Sequence, residues 1–150
     1  MPRKKQYDTD VVTHRAMKLF WERGFKATSL RDLEKAMAIN QFSIYATFKN
    51  KEGLFIEALR KFKEYNRNGP FRPIIESAGQ PEDLRKFLEG FVSSVKEGQS
   101  QNGCLFANTL AELGTTEGPI KEELQDYLLF LETIFLEYAQ KAQEQGVLRM

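Results

Sequence analysis

Apolar positions recur every three or four residues along most of this chain, and glycine, proline and capping side chains cut them into short runs. Val12, Ala16, Leu19 and Phe20 form the first run after Asp10, and Gly24 stops it. Thr28 and Ser29 then offer N-cap oxygens, with Asp32 three residues after Ser29 like the acid of a capping box. Leu30, Leu33 and Met37 make the inward stripe of a second helix. Asn40 caps a third, backed by Ile44 and Phe48. Asn50 caps a fourth, which turns Leu54, Phe55, Ala58, Leu59 and Phe62 inward and runs to about Asn66.

Between residues 68 and 74 two prolines and a glycine break the helical order, which predicts a boundary between a body at residues 6–66 and another at 81–150. Pro81 opens a fifth helix carrying Leu84, Phe87, Leu88, Phe91, Val92 and Val95. A polar loop precedes a short sixth helix from Cys104 to Leu113. Pro119 opens the longest helix, which runs to about Gln145. Its main stripe is Ile120, Leu124, Tyr127, Leu128, Leu131, Ile134, Phe135 and Tyr138, yet Leu129, Phe130 and Leu136 point elsewhere. A helix apolar nearly all round is buried on more than one side. Too little chain follows to cover the second side, so either a partner subunit covers it or the sequence ends before its natural stop. No strand pattern competes, and the expected class is all-α.

Composition narrows the function. With 41% hydrophobic and 29% charged residues, the 150-residue chain suits one or two compact bodies with an apolar core. No apolar run approaches the roughly 18 residues of a membrane span. The basic start, MPRKKQYDTD, lacks the apolar stretch of a secretory signal. A single cysteine, Cys104, excludes an intramolecular disulfide and fits a reducing cytoplasm. The formal charge of +1 conceals an asymmetry: residues 1–72 hold 16 Lys and Arg against 8 Asp and Glu, and the remainder holds 6 against 13. Either the basic half faces a polyanion, or solvated surface charge has clustered by chance.

The two short helices around residues 29–48 carry the candidate chemistry. In a helix-turn-helix the second helix reads base edges while the first crosses the sugar-phosphate backbone. Thr28 and Ser29 stand where free N–H groups and the helix dipole favour a phosphate, and Lys51 stands at the start of the fourth helix. Between them Gln41, Phe42, Ser43, Tyr45, Ala46 and Thr47 form an outward set almost free of charge, which suits base reading better than a purely electrostatic grip. Gln41 suits adenine; Phe42 or Ala46 suits a thymine methyl. The alternative is an ordinary helical hairpin with a polar face. Arg3, Lys4 and Lys5 are either an arm along DNA or a solubilising tail. Catalysis is poorly supported, since one His (His14) and one Cys cannot build a structural zinc site and no phosphate-cradling glycine loop occurs. No cofactor or metal is expected. Cys104 is either a thiol activated by a helix N-terminus or a small buried hydrophobe.

Residues 10–62 resemble the N-terminal domain of TetR-type transcriptional regulators. The resemblance lies in Leu19-Phe20, Arg23-Gly24-Phe25, Ala27-Thr28-Ser29-Leu30, Asp32-Leu33, Ile39, Ile44-Tyr45, Phe48, Lys51-Glu52 and Leu54-Phe55. It implies a three-helix, homeodomain-like DNA-binding domain in which Thr28, Tyr45 and Lys51 touch phosphates and exposed residues of the third helix choose the sequence. Two positions depart from the family: Ala38 stands where a turn glycine is usual, and Phe42 where glycine is frequent. Gly103-Cys104-Leu105, Asn108-Thr109 and Glu112-Leu113 resemble a segment of TetR-type regulatory domains. That implies a C-terminal helical ligand-binding and dimerisation domain, with the chain stopping where the family's last two helices would begin. A pocket would then be lined by Phe62, Phe87, Phe91, Cys104, Phe106, Asn108, Tyr127 and Phe130, unless these are simply core. The expected protein is a homodimeric, cytoplasmic, ligand-responsive repressor on a palindromic operator in double-stranded DNA. The alternative is a helical ligand- or protein-binding module that has lost operator recognition.

Overall fold

A computed structural model describes residues 6–98, 101–114 and 117–149, and within them the fold is all-helical. The helices are α1 (Thr9–Arg23), α2 (Leu30–Met37), α3 (Gln41–Phe48), α4 (Lys51–Asn68), α5 (Arg72–Ile75), α6 (Pro81–Lys96), α7 (Leu105–Leu113) and α8 (Pro119–Glu144). They divide into two compact units that are not contiguous in sequence. Unit 1 holds the described residues up to Phe62 together with Cys104–Glu123; unit 2 holds Lys63–Gly103 and the chain from Leu124 onward. The break expected at residues 68–74 therefore lies inside unit 2. No helix among the described residues is long and apolar enough to cross a membrane.

In unit 1, α2 packs against both α1 and α3. Val12, Ala16, Met17 and Phe20 from α1, Leu33 and Met37 from α2, and Ile44 and Phe48 from α3 close over Leu54, Phe55, Ala58 and Leu59 of α4, and all are buried. Each fully buried large aliphatic or aromatic side chain contributes about 1.5–3 kcal/mol relative to exposure. The periodic reading thus located this core, although α1 starts earlier than expected. Asp8 caps it, accepting from the N–H groups of Asp10 at 2.8 Å and Val11 at 3.4 Å.

The joints between these helices are tight. Ala38 ends α2 in the left-handed region, with φ +56° and ψ +37°. Lys49 ends α3 with φ +73°. Just beyond, Gly53 lies so close to the Phe48 carbonyl that a Cβ there would stand 2.0 Å from its oxygen. Only glycine lets the first turn of α4 come this near the end of α3.

Unit 2 is organised around Phe71, whose ring lies 5.2 Å from Phe87, 5.8 Å from Phe91, 6.1 Å from Phe130 and 6.2 Å from Phe135 between centroids. Two expectations are corrected here. The proline-rich stretch after α4 contains the single helical turn α5, because Pro73 occupies a first-turn position that needs no N–H donor. On α8, Phe130 belongs to the buried stripe with Leu124, Tyr127, Ile134, Tyr138 and Ala142, while Leu128 and Phe135 are exposed with Leu129 and Leu136. On α6 only Phe87 is buried, Phe91 stands at the partly exposed edge of the Phe71 cluster, and Leu88, Val92 and Val95 face solvent. Inside the unit, the buried Asn66 Nδ2 donates to the Tyr127 hydroxyl at 2.8 Å.

Ala38→Gly is expected to raise stability by about 1 kcal/mol by relieving the left-handed Cβ penalty. For a chain of this size that is a melting point higher by about 2–4 °C. Gly53→Ala is expected to lower the melting point. Thermal unfolding followed by circular dichroism checks both.

Candidate nucleic-acid interface

The outward side of α3 is built by anchoring its back and capping its start. Ile44 is wholly buried and Phe48 is 7% exposed, which orients the helix. Asn40 Oδ1 accepts the Ser43 N–H at 2.8 Å. A second acceptor comes from α2, where Glu34 Oε1 accepts the Gln41 backbone N–H at 2.6 Å. Glu34 Oε2 also accepts from Gln41 Nε2 at 3.1 Å. The Gln41 amide thus keeps its carbonyl oxygen and one N–H for another partner.

Phe42 is 81% exposed, an unusual state for a phenylalanine, and Tyr45 is 44% exposed. Ala46, one helical turn after Phe42, is exposed beside them. Ser43 and Thr47 are half-buried for a reason invisible in the local pattern. The Tyr7 hydroxyl donates to the Ser43 carbonyl at 3.3 Å and pairs with Thr47 Oγ1 at 2.5 Å. Tyr7 therefore ties the segment before α1 to the flank of α3. Arg3, Lys4 and Lys5 lie outside the described residues.

At the start of α2 the expected capping box forms. Ser29 Oγ accepts the Asp32 N–H at 3.1 Å, and Asp32 Oδ2 accepts from the Ser29 N–H at 2.9 Å and from its hydroxyl at 2.6 Å. These bonds, the Ser29 hydroxyl first, hold the Asp32 carboxyl below its ordinary value, with a smaller contribution from Arg23 at 3.4 Å. Ser29 is exposed, whereas Thr28 is wholly buried and its hydroxyl donates to the Gly24 carbonyl at 2.6 Å. The structure does not bring the Thr28 side chain to the face formed by Gln41, Phe42, Tyr45 and Ala46. Its oxygen bonds within the turn because the backbone there has a carbonyl to satisfy.

Lys51, the first residue of α4, is half-buried with its ammonium 4.4 Å from the centre of the Phe25 ring. Burial lowers its affinity for the proton, and the Glu112 carboxylate partly offsets this. Glu112 is a residue the sequence pattern did not single out for the site. It stands on α7 and accepts the backbone N–H groups of Phe25 and Lys26.

The eight residues expected around a pocket separate between the units. Phe62, Cys104, Phe106 and Asn108 belong to unit 1, and Phe87, Phe91, Tyr127 and Phe130 to unit 2. Phe62 packs edge-on against Trp21 at 5.0 Å and lies 6.0 Å from Phe106. Asn108 is exposed, and Cys104 is half-buried just before α7. Among the described residues, no group of three or more His, Cys, Asp or Glu side chains is placed to hold a metal ion.

A capped recognition helix packed on a second short helix, both on a three-helix core, defines a helix-turn-helix regulator. Residues 12–58 match the family profile of bacterial regulatory proteins of the tetR family, and residues 81–150 match that of the tetracyclin repressor-like C-terminal domain. The chain is 28% identical over 149 residues to the HTH-type transcriptional regulator YezE of Bacillus subtilis, covering 99% of this chain and 76% of the relative. It is 28% identical over 145 residues to the HTH-type transcriptional repressor ComR of Escherichia coli, covering 96% of this chain and 69% of ComR. Among solved structures, a cysteine double mutant of the TetR family regulator CifR in complex with 26-bp double-strand operator DNA superimposes with a TM-score of 0.74. The identity is 30%, with 97% of this chain and 76% of that one covered. The chain belongs to the TetR family of bacterial transcriptional regulators.

Ser29→Ala is expected to raise the Asp32 carboxyl back toward its ordinary value, as read by a carbon-detected NMR titration of the side chain. The sign follows from the direction of the shift. A depressed folded-state value means the bond adds stability above the unfolded carboxylate range of about 3.9, and loses it as pH falls through the lower folded value. Acid unfolding of Ser29→Ala is therefore expected to begin at higher pH than in the parent.

Proposed function

We propose that this regulator is a repressor that binds a palindromic operator as a homodimer and releases it when a small ligand occupies its C-terminal helices. The observation that carries the reading is the side of α3 that holds Gln41, Phe42, Tyr45 and Ala46 outward while Ile44 and Phe48 are buried behind. In this reading α3 enters the major groove. Ser29, Tyr45 and Lys51 meet phosphates around it, and Thr28 acts by shaping the turn. Gln41 reaches a base edge with the part of its amide that Glu34 leaves unused. Ser43 and Thr47, held by Tyr7, set the flank of the contact. Phe42 and Ala46 form an apolar pair suited to thymine methyl groups.

The dimer is supported by the exposed Leu128, Leu129 and Leu136 on α8, which a second copy would cover. Two heads fit a palindrome when their recognition helices stand about 34–36 Å apart, one turn of DNA. A ligand that prefers another spacing weakens operator binding by its differential affinity for the two states. Support for the ligand comes from family membership and from the aromatic residues of the C-terminal helices. Such a protein works where the genome is, in the bacterial cytoplasm.

Selection of preferred duplexes from a random pool, followed by titration at several salt concentrations, tests the central reading. A steep fall of affinity with salt for a palindromic winner supports it, and no enrichment refutes it. On the selected operator, uracil in place of a contacted thymine is expected to weaken binding about four-fold per methyl, from ~0.8 kcal/mol per buried carbon. Phe42→Ser is expected to shrink that difference. For the dimer, Leu129→Glu with Leu136→Glu is expected to give a monomer in sedimentation experiments with helical content unchanged, and to bind the operator more weakly.

A further inference from the structure

The loop from Gly24 to Ser29 joins α1 to α2 and carries two successive backbone N–H groups, at Phe25 and Lys26, that point out of any helix. Each needs an acceptor, and the fold supplies one instead of leaving both to water. It comes from 87 residues along the chain: Glu112 Oε2 accepts from Phe25 at 2.9 Å, and Oε1 from Lys26 at 2.6 Å. The exchange is reciprocal. Glu112 lies in the last turn of α7, where carbonyls lack helical donors, and Lys26 Nζ donates to its carbonyl at 3.4 Å. Gly24, with φ +82°, leaves the carboxylate room, because a Cβ there would stand 2.6 Å from Glu112 Oε2.

The clamped loop is stiff on its other sides as well. The Phe25 ring lies 4.9 Å from Phe55 and 6.3 Å from Phe20, with the Lys51 ammonium above it. The Thr28 hydroxyl closes back onto Gly24. From this loop the chain passes directly into the Ser29 cap of α2, and α2 holds the start of α3 through Glu34.

We infer that Glu112 is a positioning residue for operator recognition, its carboxylate fixing the α1–α2 loop and, through it, the α2–α3 pair and Lys51. The inference rests on the reading of α3 as the DNA-facing helix. It also makes a prediction opposite in sign to simple electrostatics. Removing an anionic side chain from a DNA-binding unit raises affinity for every duplex if charge alone matters. Loss of a positioning contact lowers affinity for the operator and leaves affinity for unrelated DNA unchanged or higher.

The full chain and its Glu112→Ala and Glu112→Gln variants would be titrated against the selected operator and an unrelated duplex at one salt concentration. Hydrogen exchange would be followed at the Phe25 and Lys26 amides. For Glu112→Ala both amides are expected to exchange faster, and the ratio of operator to unrelated affinity to fall about ten-fold, the scale of one hydrogen bond to a charged group. Glu112→Gln keeps the side-chain shape and one acceptor oxygen, so it guards against misfolding and is expected to show a smaller fall. An unchanged ratio, equal losses on both duplexes, or unaltered exchange at the two amides would overturn the inference. If the parent itself selects no duplex, the DNA-facing reading fails first and takes the inference with it.

Discussion

Half the backbone donors of an eight-residue helix have no partner inside the helix, and α2 and α3 are both that short. Isolated helices of this length are unstable in water. The helix-turn-helix exists because side chains take up some of those donors and because each helix buries its apolar side. Ser29 and Asp32 serve α2, Asn40 and Glu34 serve α3, and Asn50 serves α4 by accepting the Gly53 N–H at 2.7 Å. Once these ends are fixed, Leu33, Met37, Ile44 and Phe48 have only one way to face the core. The polar remainder of α3 is presented outward as a consequence.

Charge and shape then divide the work. The basic residues gather in the part of the sequence that holds the capped helices, while the face of α3 itself stays nearly uncharged. On the proposed reading, attraction to phosphates and discrimination among bases rest on different residues. Lys51, placed with the phosphate contacts on that reading, holds its ammonium over the Phe25 ring, and burial lowers its affinity for the proton. In unit 2 the same economy fails on the outer sides of α6 and α8, where leucine and valine meet water.

Legibility followed sequence distance. Caps at Ser29, Asn40 and Asn50 were readable because donor and acceptor lie within three residues of one another. The core of unit 1 was readable because its periodicity is strict. Tyr7 on Thr47, 40 residues apart, and Glu112 on Phe25, 87 apart, leave no local trace. Thr28 is less legible, because a hydroxyl at a helix start suits a phosphate and a backbone carbonyl equally, and only the structure shows it buried and donating to the Gly24 carbonyl. The apolar stripe of α8 misled differently. With hydrophobic residues nearly all round, period alone could not rank Phe130 above Leu128, and the Phe71 cluster made that choice. The turn α5 was hidden by reading Pro73 as a breaker where it serves as a first-turn residue.

The anchoring of α3 at its back and at both ends has an evolutionary corollary. Ile44 and Phe48 hold the rod, Asn40 and Glu34 close its start, and the glycine at 53 lets α4 seal its exit. Positions 42, 45 and 46 stand outside that framework, in water. On the proposed reading, descendants of this gene can drift toward new binding sites by altering exposed side chains such as Phe42 and Ala46, with the anchors of the helix untouched.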